Sequence, residues 1–468
     1  MGNTRKKRIE VDMCSGRMLP QMLRFAGPLI LSSVLQLLFN AADVIVVGQF
    51  GSEHSLAAVG STGTLVALVT NLIVGLAMGA TVMASQHVGA KNDERVHATV
   101  HSSVAFSLLI GAVLSVVCLA LNEQSLTWML TPAEVKPLSA QYLYIYYSGL
   151  IFVALYNFGA ALLRAKGDTR RPLTYLIIAG VLNVFLNLFF VIVFKMDVAG
   201  VALATIISQA LSAVLVLRCL MREEGAFRLE WRKLRLHKGD TARLLRIGVP
   251  AGLQQVIFNI SNLVIQSAIN SFGPVVMAGS AGSVNIENLI GASTSSLAQT
   301  GMTFISANLG AGKFDRVDKA YRLSLFSSIL AGVVLGGLAA LLRYPLMHIY
   351  STVPAEINAG AARMIITCST MVTCAVMDTV SANIRGLGYS TTPAIITLIG
   401  ACGFRLVWIA TLFQMPGFHT PDWLFISYPI SWTITSAVQL ICYAMLRRRF
   451  PKGSEKASLG ALAEAPEA

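Results

Sequence analysis

Residues 24–51 read RFAGPLILSSVLQLLFNAADVIVVGQFG, one arginine followed by a long run of predominantly apolar residues. A transmembrane helix needs about 20 such residues, so this stretch predicts a membrane span. A related stretch, RIGVPAGLQQVIFNISNLVIQSAINSFG, occupies residues 246–273, which is 222 positions further along the chain. The sequence therefore carries the same kind of membrane helix twice.

The duplication extends beyond this helix. Residues 24–102 align with residues 246–324 without a gap and share 15 identities in 79 positions, where composition alone gives about five. The identical pairs include Arg24/Arg246, Pro28/Pro250, Asn40/Asn262, Gly79/Gly301 and Lys91/Lys313. A repeat of this length predicts two related six-helix bundles. Because six is even, both bundles enter the membrane in the same orientation, an arrangement known from secondary transporters.

The composition agrees with a membrane protein built of helices. Apolar residues make up 55% of the 468 positions and charged residues 13%, whereas about a quarter of a soluble protein is charged. This excludes a soluble enzyme and predicts an all-α polytopic membrane protein. Twelve spans are predicted, at residues 25–48, 56–84, 97–121, 138–162, 173–194, 198–220, 246–270, 276–306, 321–342, 361–384, 394–414 and 424–446.

The basic residues predict the orientation. Of 36 Lys and Arg, 31 fall in the segments that are cytoplasmic if the N-terminus is inside, as the positive-inside rule requires. Only Lys136, Lys195, Arg343 and Arg363 fall in segments expected outside, and Arg405 lies within a span. We expect a multi-pass protein of the cell membrane with both termini cytoplasmic, whose partner is the lipid bilayer. Nucleic acid is not expected as a partner, although the net charge is +13.

The predicted organisation has five parts. They are a cytoplasmic N-terminal segment (1–23), an N-lobe (24–220), a cytoplasmic linker (221–243), a C-lobe (244–447) and a disordered cytoplasmic tail (448–468). The first span is too long for a signal-peptide core, so we expect it to be retained. In the linker, Phe227, Trp231 and Leu234 share one helical face among basic residues, which predicts a short helix on the inner leaflet.

The first candidate site lies in the N-lobe, where Asp43 falls inside the first span. An acid within a span is costly and is a functional candidate by default. Gln36 and Asn40 share a helical face with Asp43, at spacings of i, i+4 and i+7. Asn183 and Asn187 repeat this spacing in the fifth span. If the two faces meet, they form an oxygen-rich site for a proton or a small hard cation such as Na⁺; interhelical hydrogen bonding is the alternative.

The second candidate site lies in the C-lobe. The seventh span carries a stripe of four amides, Gln255, Asn259, Asn262 and Gln266. The stripe either lines an aqueous substrate cavity or makes contacts between the halves. Glu287 and Asp378 add negative charge in the eighth and tenth spans. Arg405 either pairs with one of these acids or contacts substrate.

Other chemistries are not supported by the sequence. Seven cysteines and seven histidines are dispersed without ligand spacing, so neither a structural metal nor a disulfide is expected. No nucleotide-binding loop and no catalytic triad can be assembled. We therefore expect no enzyme activity and no cofactor.

Several motifs resemble those of the multidrug and toxic compound extrusion (MATE) family of the MOP flippase superfamily, of the bacterial type. These are NAAD (40–43) followed by VGQFG (47–51), VGAK (88–91) with its repeat LGAGK (309–313), and LRAKGDTRRP (163–172). The resemblance runs from about residue 17 to 447. It implies a monomer that exports small organic, often cationic, compounds in exchange for H⁺ or Na⁺ by rocking of two lobes.

The resemblance also implies roles for single residues. Asp43 matches the first-helix aspartate that binds the coupling ion, and Asn183 matches an asparagine beside it in DinF-like members. Asn187 stands where many of those members have a second aspartate. Gln254-Gln255 occupy the stretch where NorM-like members carry a glutamate, and Asp378 lies in the helix of another of their acids. These departures leave H⁺ and Na⁺ both open.

One alternative function remains open, a flippase for lipid-linked oligosaccharides in the same superfamily. Such flippases tend to have fourteen spans or a cationic central cavity. This chain has twelve predicted spans, and the charged residues within them are three acids and one arginine. Both features favour the exporter.

Overall fold

A computed structural model describes residues 10–52 and 54–451. Within these ranges the chain forms helices and no β-strand. Helices satisfy every backbone hydrogen bond within one segment, as the interior of a bilayer demands. Residues 452–468, most of the predicted disordered tail, and residues 1–9 lie outside the described residues.

The helices fall into two compact units. Among the described residues, unit 1 comprises 10–12 and 27–252, and unit 2 comprises 13–26 and 253–451. The first eight helices are α1 (Met18–Phe50), α2 (Ser55–Gly89), α3 (Asp93–Ala120), α4 (Asn122–Trp128), α5 (Lys136–Ser148), α6 (Leu150–Ala165), α7 (Arg170–Leu188) and α8 (Asp197–Met221). The others are α9 (Lys238–Asn270), α10 (Pro274–Gly310), α11 (Phe314–Leu341), α12 (Arg343–His348), α13 (Pro354–Thr367), α14 (Met371–Gly386), α15 (Thr391–Thr397), α16 (Phe404–Ala410) and α17 (Pro421–Arg447).

Twelve helical segments of the described chain correspond to the twelve predicted spans. Eight are long and apolar enough to cross a bilayer, two of them through π-helical turns at Phe189–Val193 and Leu398–Gly403. Two further spans are bent pairs, α5 with α6 at 48° and α13 with α14 at 50°. The remaining two, α9 and α10, are 33 and 37 residues long but more polar. The all-α polytopic fold predicted from the sequence is confirmed.

The two bent spans break at equivalent places in the repeat. In unit 1 the break is Gly149, and in unit 2 it falls between Thr367 and Met371. An offset of 221 residues places Gly149 on residue 370. A Cβ at Gly149 would lie 2.3 Å from Cδ1 of Ile206, so this position admits only glycine without rearrangement. Both halves of the repeat therefore share the break in this span as well as their sequence similarity.

Close helix packing explains several of the glycines. A Cβ on Gly75 of α2 would lie 2.3 Å from Cα of Gly252 on α9, within unit 1. In unit 2, a Cβ on Gly336 of α11 would lie 2.3 Å from the carbonyl oxygen of Cys368. Helices in lipid associate through such close approaches because no hydrophobic force drives them together.

The LRAKGDTRRP motif builds a charged cluster at the end of α6. Lys166 pairs with Glu223 at 2.5 Å and with Glu10 at 2.7 Å. Arg171 pairs with Glu223 and with Asp168. Burial acts to raise the pKa of Glu223, but the hydrogen bonds and charges of Lys166 and Arg171 outweigh it and hold the pKa below its ordinary value. The motif thus fastens the chain after α8 to the α6–α7 turn.

The predicted helix in the linker is wrong. The segment forms only two single turns, Gly225–Phe227 and Trp231–Lys233. Phe227 is 6% exposed and packs into the core of unit 1, while Trp231 is half exposed. The apolar side chains are therefore divided between core and surface, and they do not form one face for the leaflet.

Candidate functional site

Asp43 of α1 receives hydrogen bonds from two neighbouring helices of unit 1. Asn187 of α7 donates from Nδ2 to Oδ1 of Asp43 at 2.5 Å. Thr205 of α8 donates from Oγ1 to Oδ2 at 3.5 Å. In the described part of the chain no lysine, arginine or histidine pairs with this carboxylate, so its immediate partners are neutral.

Asn183 joins the same network one turn earlier on α7. Its Nδ2 lies 3.4 Å from Oγ1 of Thr205, and its Oδ1 accepts from Nδ2 of Asn187 at 3.4 Å. Asn187 is fully buried, and its Oδ1 has no donor among the described residues. Carboxylate, amide and hydroxyl oxygens therefore converge at one place, as the paired spacings predicted. We call Asp43, Asn183, Asn187 and Thr205 the carboxylate cluster.

Gln36 and Asn40 do not join the carboxylate cluster. Both side chains are exposed, and within the described residues neither forms a hydrogen bond with Asp43. Although all three share a helical face, Gln36 lies seven residues from Asp43, a separation of roughly 10 Å along the axis. Their predicted part in ion coupling stays a prediction.

In unit 2 the Glu287 carboxylate is part of a buried ion pair. Nε and Nη2 of Arg363 donate to its two oxygens at 2.9 and 3.0 Å. Thr367 and Ser283 add hydrogen bonds of 2.7 and 2.9 Å to Oε1. Such a carboxylate is already neutralised and well satisfied by the protein.

The other predicted cavity residues also lie in unit 2, but they are dispersed. Asp378 accepts a hydrogen bond from Ser295 at 3.3 Å. Gln266 donates to Asn270 at 3.0 Å, on the same helix. Gln255, Asn259, Asn262 and Gln266 are half-buried along α9. Their role as a substrate cavity stays a prediction.

Arg405 pairs with neither acid. The guanidinium is 1% exposed and donates from Nε to Oγ of Ser431 at 2.9 Å and from Nη1 to Oδ1 of Asn262 at 3.5 Å. It stacks 4.2 Å from the ring centre of Tyr428. The hydroxyl, amide and ring are all neutral, so among the described residues Arg405 does not form the ion pair with Glu287 or Asp378, which is one of the two alternatives that the sequence leaves open.

The distribution of buried charge also differs from the sequence prediction. Arg363, expected in an outside segment, lies in α13 and is 2% exposed. Arg385, expected at the cytoplasmic surface, is 4% exposed and donates to Gln254. Among the described residues of unit 2, these two arginines and Arg405 outnumber Glu287 and Asp378 by three to two. The interior of unit 2 is therefore not predominantly acidic.

Several of these partners leave little signal in the sequence. Thr205 is not distinctive, because threonine in membrane helices commonly serves packing. Arg363 lies at the start of a predicted span, where the pattern of basic residues places it in a segment expected outside. Ser431 and Tyr428 become partners of Arg405 only through the packing of α17 against α16.

A polytopic helical protein that holds an acid among neutral partners inside its helices has the features of a membrane transporter. The family comparison agrees with this class. The MatE family model matches the chain twice, at residues 28–189 and 250–410. The two starts differ by 222 residues, so the family match reproduces the internal repeat. The chain belongs to the MatE family, whose members are transporters and not enzymes.

Individual relatives are similar over most of their length. The probable multidrug resistance protein YoeA of Bacillus subtilis is 26% identical over 392 residues, covering 82% of this chain and 85% of that protein. The FAD transporter of Shewanella oneidensis is 26% identical over 342 residues, covering 71% and 74%. A MOP superfamily transporter from Pyrococcus furiosus, whose binding pocket is described as having reverse polarity, superimposes with a TM-score of 0.88 at 19% identity, covering 94% and 98%.

Proposed function

We propose that the protein is a secondary active efflux transporter that exchanges H⁺ or Na⁺ for small organic compounds across the cell membrane. Both ends of the chain lie in the cytoplasm, and transport proceeds by rocking of the N-lobe against the C-lobe. The relative named as a multidrug resistance protein supports efflux as the direction. The duplicated six-helix architecture supports alternating access.

The observation that carries this proposal is the carboxylate of Asp43, which forms no ion pair among the described residues. A charge inside a bilayer costs about 2.5–3.5 kcal/mol even on lenient insertion scales. Asn187 and Thr205 offset only part of this cost, because neutral donors do not cancel a charge. A bound proton or cation cancels it. Binding of a proton or cation at Asp43 therefore lowers the free energy needed to keep this part of α1 buried within unit 1.

The carboxylate cluster suits either ion. Na⁺ is a hard cation that prefers carboxylate, carbonyl and hydroxyl oxygens, and the carboxylate cluster contains all three kinds. A proton needs only the carboxylate of Asp43. Coupling follows if the ion binds one orientation of the lobes more tightly than the other.

The decisive experiment uses the full chain in proteoliposomes loaded with a fluorescent organic substrate. H⁺ and Na⁺ gradients are imposed separately, and efflux is compared with that at zero gradient. We expect one gradient to drive efflux in the wild type, and Asp43→Asn to abolish the driven component. Glu134→Gln is the matched control, because it removes an exposed acid from the same unit. Efflux that is indifferent to both gradients would contradict the proposal.

The second candidate function is a flippase for lipid-linked oligosaccharides. It is favoured by the buried Arg405, which pairs with no acid among the described residues, since such substrates carry phosphate. The FAD transporter of Shewanella oneidensis is a relative whose named substrate is anionic but soluble, so it supports an anionic substrate without supporting a lipid-linked one. The two functions are separated by the substrate that crosses the membrane, soluble in one case and lipid-linked in the other.

A further inference from the structure

Arg405 occupies an unusual environment on α16. Its guanidinium lies 4.2 Å from the ring centre of Tyr428, 5.4 Å from that of Trp432 and 5.6 Å from that of Phe258. Aromatic faces attract a cation but do not neutralise it. A buried arginine is normally held by a carboxylate, because an unpaired charge is costly in a medium of low dielectric constant.

The nearby acids of unit 2 do not supply this carboxylate. Glu287 is engaged by Arg363, Thr367 and Ser283. Asp378 accepts from Ser295, and no salt bridge joins it to Arg405 within the described ranges. Arg405 therefore retains an uncompensated positive charge inside unit 2.

Three buried hydrogen-bond donors, one on Arg405 and two on helices that contact it, have no acceptor in the described part of the chain. They are Nη2 of Arg405, Nε1 of Trp432 and Nδ2 of Asn259. The guanidinium and the indole can only donate, so only an acceptor satisfies them. Buried donors are nearly always satisfied, and each exception calls for an explanation. Asn259 lies one turn from Asn262, which itself accepts from Arg405.

We propose that these donors form a binding subsite for an anionic group, a carboxylate or phosphate, on the organic substrate. The subsite comprises Arg405, Trp432 and Asn259, with Tyr428 and Ser431 holding the guanidinium in place. An anion accepts hydrogen bonds from several donors at once and cancels the charge of Arg405. This assignment rests on the proposed transport function and specifies one substrate class for it.

The test measures binding to the full chain in phosphatidylcholine nanodiscs, without any ion gradient. The probes are flavin mononucleotide and riboflavin, which differ by one phosphate. We expect the mononucleotide to bind at least about tenfold more tightly, the usual effect of a charge-assisted contact. Arg405→Gln should remove this difference. Arg322→Gln, which deletes an exposed positive charge in unit 2, should preserve it.

Trp432→Phe gives a further reading, because it keeps an aromatic ring beside Arg405 and deletes the unsatisfied N–H together with part of the indole ring. The lost ring volume in the core of unit 2 lowers stability, so the comparison between the two probes carries the test. We expect the affinity for flavin mononucleotide to fall severalfold while the affinity for riboflavin is unchanged. A purely structural role for this cluster predicts an unchanged affinity, and that result would overturn the proposal.

Nanodiscs that contain phosphatidylglycerol identify the source of the anion. If this lipid competes with flavin mononucleotide, a headgroup enters the subsite; if it does not, the subsite selects soluble anions. Equal affinities for flavin mononucleotide and riboflavin in the wild type would refute an anion subsite of either kind. Because no gradient is applied, this result is independent of whether transport is coupled to H⁺ or Na⁺.

Discussion

Asn187 donates from Nδ2 to Oδ1 of Asp43 across 2.5 Å, although 144 residues separate the two positions in the chain. The bond joins α1 to α7 within unit 1 and leaves the other end of the Asn187 amide, Oδ1, without a donor. One side chain thus supports the ionised carboxylate through its N–H and carries a buried oxygen that has no donor among the described residues. Any ion that binds Asp43 changes the charge that this N–H meets.

This relationship predicts the effect of Asn187→Ala. A hydrogen bond to a charged group contributes about 1.5–3 kcal/mol, so the cation concentration for half-maximal efflux should change by about tenfold or more, with the protein still inserted. Asn157→Ala is the control, because Asn157 donates to a backbone carbonyl in the same unit. Equal ion dependence in the two variants would exclude Asn187 from the coupling site.

The Glu287–Arg363 pair predicts a structural effect in unit 2. Glu287→Gln leaves Arg363 buried and unpaired, which should cost about 3–5 kcal/mol of stability. Glu287→Gln combined with Arg363→Gln removes both charges and should recover most of the loss. Thermal unfolding of the purified protein measures both effects, with the exposed Asp422→Asn as control. If the double variant were no more stable than Glu287→Gln, the unpaired charge of Arg363 would not be the cause of the lost stability.

A carboxylate that contacts substrate affects transport more than stability. Among the described residues, Asp378 accepts a side-chain hydrogen bond from Ser295 and forms no ion pair, so Asp378→Asn should unfold near the wild-type temperature. We expect it to export a panel of organic substrates with partial loss and an altered preference. A wild-type substrate profile for Asp378→Asn would remove this residue from the substrate cavity.

The charged cluster of the LRAKGDTRRP motif predicts a pH dependence of stability. The pKa of Glu223 lies below its ordinary value of 4.5, so its ionised form stabilises the folded state. That contribution is complete above pH 4.5 and disappears as the pH falls through the lower pKa of the folded protein. Glu223→Gln should therefore unfold at a lower temperature than the wild type at pH 7, and the gap should close in acid. A difference in unfolding temperature that stays constant with pH would contradict this stabilising role of the Glu223 carboxylate.

Much of the fold could be predicted from the sequence because lipid imposes simple rules. Spans of apolar residues, the offset of 222 residues and the NAAD stretch all depend on local pattern. Asp43, Asn183 and Asn187 could be brought together from their spacing, since i and i+4 on a helix share a face. Gln36 follows the same spacing, but it lies roughly 10 Å from Asp43 along the helix axis and therefore does not reach its carboxylate.

The partners of the buried arginines could not be predicted in this way. Arg363 meets Glu287 across 76 residues, and Arg405 meets Ser431 and Asn262 on two other helices. Such pairings depend on helix rotation and packing, which single-helix periodicity does not contain. The unsatisfied donor of Trp432 is likewise a property of the packed unit.

Ion binding at Asp43 drives export in the proposed mechanism. The decisive measurement is substrate efflux from proteoliposomes in which an H⁺ or an Na⁺ gradient is the only driving force, for the wild type and Asp43→Asn. We expect efflux driven by one of the two gradients in the wild type and none above the zero-gradient rate in Asp43→Asn. Gradient-driven efflux that persists unchanged in Asp43→Asn would contradict this mechanism.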